Sequence, residues 1–363
     1  MSPLARFLLL RLLLVPLTLL IVTATLMFML STTPAEVRAL LYLPTKLQAS
    51  ALNMTRAEMR FAAERWIKAY HLEDPFPVQY VYWVKDVITE GGGYSPTLKG
   101  EVFKALWMRT PVTAELTLYS LLAFIPLGIL SGLSAGWSPG GPLDRPFRLA
   151  AYVATNLPPY ITALLLLGLF YVLLGWFPPG RLGAAASAQA LSPEFHRITG
   201  MMPIDSLLNG RLDIFADAVR HLVLPVFTLS LVHWATLGRI VRTTIITERR
   251  KEYLTAARAR GVPERLLLWR HALRNVVAPA LSSSALAAAS LFTGVFMIEI
   301  IFDFKGVADL VVKGSTGGLD VPLAMGFCIY SVSIVLVVML ALDILRAILD
   351  PRSRESMIHD ETD

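Results

Sequence analysis

The chain has 363 residues, 55% of them hydrophobic and 17% charged, with a mean hydropathy of +0.58. A soluble protein of this length disperses its apolar residues, whereas here they gather into runs long enough for a bilayer core, about 20 helical residues each. The net charge of +6 lies beside those runs, which disfavours nucleic-acid binding and fits positive residues held on the cytoplasmic side of a membrane.

Continuous apolar runs predict transmembrane helices at 8–30, 112–136, 149–177, 218–240, 276–302 and 322–346. Helix is preferred to strand because the runs do not alternate, and lipid requires every backbone group to be satisfied within its own segment. The first run follows Arg6 and Arg11 like a secretory signal, but its apolar core, Leu12 to Leu30, exceeds the about 7–15 residues of a signal core. No small-x-small cleavage site follows it, so the domain reading starts with an uncleaved span, 1–30.

Residues 31–111 are too polar to span and are expected to form an external helical segment. Thr55-Arg-Ala-Glu58 reads as a capping box, and Phe61, Trp66, Ile67 and Tyr70 follow on one helical face. Gly91-Gly-Gly93 then ends a helical stretch and resets the chain direction. The remainder divides into a core of five spans over 112–349 and a cytoplasmic tail, 350–363. Cys328 lies inside an apolar run, so no intrachain disulfide is available.

Lys and Arg placement sets the orientation. Arg239, Arg242, Arg249, Arg250, Lys251, Arg258, Arg260, Arg265, Arg270 and Arg274 crowd the connection between spans four and five, against Lys305 and Lys313 after span five. Arg145, Arg148, Arg346, Arg352 and Arg354 agree, placing both termini in the cytoplasm. Arg181, Arg197, Arg211 and Arg220, between spans three and four, run against the bias.

The connection at 242–275 is patterned. Tyr253, Leu254 and Ala257 share one side of a short helix, and Thr255, Ala256 and Ala257 are small enough to admit a close neighbour. Gly261 permits the positive φ that commonly ends a helix, and Pro263 and Glu264 suit the start of a second. Leu266 to Trp269 supply a second apolar surface. Physics alone leaves two readings open, an interfacial helix among lipid headgroups and a grip for a cytoplasmic partner.

The Ala256-Ala-x-x-x-Gly261 block, followed by His271-x-x-x-Asn275-x-x-x-Pro279, resembles the signature loop of permease subunits of binding-protein-dependent ABC importers. Within that superfamily, four stretches resemble the dipeptide/oligopeptide/nickel branch. They are Leu72-Glu-Asp-Pro75 with Gln79-Tyr80, Pro111-Val-Thr-Ala-Glu-Leu-Thr117, Glu299-Ile-Ile-Phe302 with Gly306, and the ending from Asp343 to Asp350-Pro351-Arg352. The resemblance implies an all-α integral membrane protein of six transmembrane helices with the type I importer fold and a helical external insertion after span one. It also implies an inner-membrane location in a bacterium or archaeon. The implied partners are a second, homologous permease, two cytoplasmic ATPase subunits that hold the ATP and Mg, an extracytoplasmic substrate-binding protein, and membrane lipid. This chain would bind no cofactor and no nucleic acid. Residues Glu252, Tyr253, Thr255, Ala256, Ala257, Arg258 and Gly261 would couple it to an ATPase. The family's loop glutamate is replaced by Thr255, with Glu252 nearly a turn earlier.

No chemistry of its own is legible. Val312-Lys-Gly-Ser-Thr316 has the letters of a phosphate loop in the wrong order, no Gly-x-Ser-x-Gly elbow occurs, and the six histidines lack metal-ligand spacing. Polar residues inside spans are costly and therefore candidates for lining a passage: Asn156 before Pro158-Pro159, Ser230, His233 and Thr236 at i, i+3 and i+6, Thr293, and Glu299 at the outer end of span five. The competing reading is hydrogen bonding between helices. An autonomous ion-coupled secondary transporter is the alternative function; it needs charges near mid-membrane, whereas most charges here lie near span ends. A membrane-anchored receptor built on 31–111 is a third, for which six spans are more than an anchor requires.

Overall fold

A computed structural model describes residues 3–40, 56–315 and 320–349. Two compact units emerge: 1–110 with 306–337, and 111–305 with the chain from 338 onward. The Thr55 end of the expected capping box and the tail 350–363 lie outside the described residues, as do the side chains of Asp343 and Arg346.

The first unit opens with α1 (Pro3–Ser31), followed by α2 (Ala35–Leu40), α3 (Arg56–Ala69) and α4 (Phe76–Thr89). Ala39, Ala63, Ile67 and Leu72 form its small core, with Trp66 and Tyr70 stacked beside it. The buried Arg38 guanidinium donates to Gln79 Oε1 at 2.7 Å, and Gln79 Nε2 donates to the Leu72 carbonyl at 3.1 Å. Tyr80 joins α4 to α1 through a 2.8 Å hydrogen bond with Thr23 Oγ1. The Leu72–Tyr80 stretch is thereby a clamp of polar groups around a tight connection. Gly91–Gly93, all at positive φ, lead into a two-stranded hairpin, β1 (Tyr94–Ser95) and β2 (Gly100–Glu101). The unit also holds α14 (Val307–Ser315) and the start of α15 (Val321–Leu349). Buried Asp320 caps α15 by accepting from Leu323 N–H at 3.0 Å, while its other oxygen takes Ser95 Oγ and Thr97 N–H of the hairpin.

The second unit carries most of α5 (Val102–Trp137), then α6 (Asp144–Asn156), α7 (Pro159–Leu167) continued by a π-helical turn (Gly168–Leu173), α8 (Ala184–Ala190) and α9 (Met202–Leu208). It continues with α10 (Leu212–Glu248), α11 (Glu252–Ala259), α12 (Glu264–Leu266) running into a π-helical stretch (Leu267–Ala272), and α13 (Leu273–Ile301). The axis is α10, whose 37 residues extend about 55 Å at 1.5 Å per residue. Gly132 and Gly136 let α5 lie against it: a Cβ on Gly132 would fall 2.3 Å from the Gly238 carbonyl, and one on Gly136 2.2 Å from Ile245 Cγ2.

Among the described residues four helical stretches are long and apolar enough to cross a membrane: Leu12–Ser31 of α1, α5, α10, and Val321–Ala341 of α15. The α6–α7 pair makes a fifth if counted as one span. The helix α13 has the length, 29 residues, and its stretch Ser290–Ile301 is apolar. The span expected at 149–177 is bent, because α6 and α7 meet at 104°. Pro158 and Pro159 offer no N–H to the Ala154 and Thr155 carbonyls, and the residue before a proline is pushed out of the helical region. Leu157 is accordingly extended, at φ −96° and ψ 122°.

Candidate functional site

The patterned connection folds into a bracket. Glu252 opens α11 behind the extended Lys251. Leu254 and Ala257, both buried, join Val241 and Ile245 of α10 and Val276 of α13 in one apolar cluster. The opposite face stays open: Glu252, Thr255, Ala256, Ala259 and Arg260 are exposed, and Tyr253 is 37% exposed. Glu252 and Thr255, three residues apart, share that face. Helix α11 ends in a Schellman turn, in which Val262 N–H donates to the Ala257 carbonyl at 3.2 Å and Gly261 N–H to the Arg258 carbonyl at 2.9 Å. Gly261 sits at φ +79°, the left-handed conformation this turn requires. Pro263 then caps α12, where Leu267 is buried while Leu266 and Trp269 are exposed.

Polar contacts brace the bracket. The Arg258 guanidinium bridges the turn to Glu264 at 2.7 Å, donates to the Arg249 carbonyl at 3.2 Å and lies over the Trp137 ring, 5.7 Å from its centroid. Glu248, only 3% exposed, accepts from Tyr253 Oη at 2.7 Å, Asn275 Nδ2 at 2.6 Å and Lys251 Nζ at 2.7 Å. It therefore ties α10, α11 and α13 together. Burial first, and then the hydrogen bond to Glu248, push the Tyr253 phenol up to about 12, so it remains a donor. The sequence reading missed Glu248. Its signal was a lone carboxylate just before Arg249-Arg250-Lys251, where only the basic residues had drawn attention. Asp144 was missed too: buried at the start of α6, it holds Arg242 of α10 through contacts of 2.6 and 3.1 Å.

The candidate passage residues do not form one group. Ser230 donates to the Ser120 carbonyl of α5 at 3.2 Å, and the His233 ring packs on Phe124 with centroids 5.4 Å apart. That part of α10 is thus engaged by α5, as helix–helix hydrogen bonding would have it; Thr236, half-buried, follows on the same helix. Asn156 is exposed at the end of α6 and donates to the Tyr152 carbonyl at 2.7 Å, and Thr293 is exposed on α13. Glu299 is fully buried and accepts from Thr113 Oγ1. Two residues further along α5 from Thr113 lies an unforeseen ion pair. Fully buried Glu115 takes Arg181 and, at 2.9 Å, Met202 N–H, drawing the 178–211 connection onto α5. Thr113 and Glu115 both belong to the Pro111–Thr117 stretch, whose letters were read only as a resemblance.

A chain whose described residues are helical but for one short hairpin, with several membrane-length helices and a buttressed loop between two of them, has the construction of a membrane transport component. The chain belongs to the family of binding-protein-dependent transport system inner membrane components, which matches residues 125–355. It is 30% identical over 307 residues to the di/tripeptide transport system permease protein DppB of Pseudomonas aeruginosa (strain UCBPP-PA14), covering 84% of this chain and 89% of that one. It is 31% identical to the oligopeptide transport system permease protein AppB of Bacillus subtilis (strain 168), covering 80% and 84%. To the probable D,D-dipeptide transport system permease protein DdpB of Escherichia coli (strain K12) it is 32% identical, covering 77% and 81%. It is a multi-pass membrane permease.

Proposed function

We propose that this chain is one of two permease subunits in an ATP-driven importer of peptides or similar small polar solutes, and that it works by alternating access without covalent chemistry. Six crossings are assigned to α1, α5, the bent α6–α7 pair, α10, α13 and α15, with both termini cytoplasmic. Two ATPase subunits, which carry the ATP and Mg, dock on the bracket, and an external binding protein delivers solute. The observation that carries this reading is the bracket itself: a helix whose inner face is locked into the ends of α10 and α13 and whose outer face, Glu252, Thr255 and Ala256, is left bare. Arginines that run against the charge bias are tied down: Arg181 to Glu115, Arg211 to Asp213, and Arg220 to the Gly175 and Trp176 carbonyls. They therefore weigh little against a cytoplasmic bracket. Glu252 stands on the open face for the ion pair that Thr255 cannot make. Family membership and peptide-permease relatives favour this reading over an ion-coupled carrier.

A photoreactive crosslinker on Thr255→Cys, in membranes holding the assembled importer, tests the docking. Adducts with an ATPase subunit are expected, and adducts with lipid alone would refute it.

A further inference from the structure

The second arm of the bracket, α12 with the π-helical stretch after it, has an outer face that the docking proposed above does not use. Its inner face is committed: Leu267 and Ala272 are buried in the cluster shared with α10 and α13, and Leu268 packs against it. Arg265, Leu266, Trp269, Arg270 and Arg274 are all exposed. Leu266, Arg270 and Arg274 follow at intervals of four, with Arg265 and Trp269 in the adjacent row, so the five share one face. Among the described residues none of these three arginines is in an ion pair, and the neighbouring Glu264 is taken by Arg258 at 2.7 Å.

The face also has a definite depth. Ala272, at φ −77° and ψ −43°, passes without a break into α13. Val276 opens the apolar run of that helix, and Arg274 and Trp269 stand two and seven residues before it. Along the axis that is about 3 and 10 Å at 1.5 Å per residue, an interval that takes in the headgroup layer, about 5–8 Å deep. Indole rings settle among headgroups, and guanidinium makes paired hydrogen bonds to phosphate. Phosphatidylcholine neutralises its phosphate with its own choline, so a face carrying three uncompensated arginines selects lipids whose phosphate charge stands alone. A soluble partner on this face would have to displace headgroups from the foot of α13.

We propose that this outer face is a binding site for anionic phospholipid, with Arg265, Arg270 and Arg274 on phosphate oxygens and Trp269 and Leu266 set in the headgroup layer. That the face meets a bilayer rests on the crossing assigned above to α13; its preference for negative charge does not follow from that crossing.

The assembled importer is reconstituted in phosphatidylcholine nanodiscs carrying a rising share of phosphatidylglycerol or of phosphatidylcholine brominated near the top of the acyl chains. The readout is quenching of Trp269 emission, isolated as the difference from Trp269→Phe. Brominated phosphatidylglycerol should reach half-maximal quenching at a share lower by about tenfold or more, since each arginine beside an anionic surface contributes about fivefold. Arg265→Gln/Arg270→Gln/Arg274→Gln should bring the two lipids within about twofold of each other. Arg265→Lys/Arg270→Lys/Arg274→Lys should keep most of the preference, because lysine retains the charge without the fork. Equal quenching by both lipids in the unaltered protein, or an undiminished preference in the glutamine variant, overturns the proposal while leaving α13 in the membrane. Quenching that appears only when the ATPase subunits are left out makes the face a protein contact, and quenching in neither preparation removes the placement of α13 as well; both overturn the proposal.

Discussion

Replacement of Gly261 tests whether the bracket transmits force. A Cβ at this position meets nothing within 4 Å, so crowding contributes nothing and the whole cost is the backbone conformation at φ +79°. An L-residue there loses about 1–2 kcal/mol, and a β-branched side chain more. A change of that size lowers the ratio of formed to opened Schellman turn roughly 5–30-fold. Asparagine tolerates this conformation and restores most of the ratio. In the assembled importer, solute uptake per ATP hydrolysed should therefore fall in the order Gly, Asn, Ala, Val, with membrane insertion unchanged because the site is open. The assay is uptake and phosphate release measured on the same proteoliposomes. Wild-type coupling in Gly261→Val, or equal impairment in Gly261→Asn and Gly261→Val, would refute the reasoning.

Other expectations concern the polar braces. Glu248→Gln keeps the shape but turns an NH2 group towards a donor, at a cost of about 1–3 kcal/mol for the unsatisfied group; trypsin should cut faster at Arg249 to Arg260, and an unchanged rate counts against the brace. Tyr253 has its folded pKa raised from 10 to about 12, so its contribution is present below pH 10 and is lost only as pH rises through about 12. The effect of Tyr253→Phe on tryptic cleavage should accordingly be the same at about pH 6.5 and about pH 8.5, where phenols stay protonated. Asp144→Asn leaves Arg242 without its partner, and for buried pairs that loss is about 3–5 kcal/mol; here it is smaller because Arg242 keeps some solvent. Thermal unfolding in detergent should show the loss, and Asp144→Asn/Arg242→Gln should recover part of it.

Apolar runs made the long helices legible, because a helix crossing lipid needs only length and composition. Gly261 and Pro263 likewise disclosed the bracket, since few residues accept the backbone geometry it needs. The bend at Pro158-Pro159 was visible as letters but not as an angle: two missing N–H groups break a ladder without saying how far the chain turns. The ion pairs were illegible for another reason. Glu115 meets Arg181 across 66 positions and Asp144 meets Arg242 across 98, and no local periodicity links residues so far apart. Ser230 and His233 show the converse: spacing put them on one face, but the helix that face meets, α5, could not be named from spacing.

One apolar cluster joins the bracket to the helices it would move. Leu254 and Ala257 of α11 belong to the same buried group as Phe124 and Leu133 of α5, Leu237 to Ile245 of α10, and Val276 to Leu291 of α13. Close-packed interiors transmit displacement because they have little free volume to absorb it. A push on the open face of α11 therefore carries the adjoining ends of α10 and α13 with it, and the Gly132–Gly238 approach carries α5 as well. A second buried cluster joins α5, α7, α10 and α13 around Leu116, Ala163, Leu222 and Ile298. Bound at both places, these helices have to move as a body, and on the docking proposed above the turn at Gly261 is where a local defect would separate the motion of an ATPase from theirs.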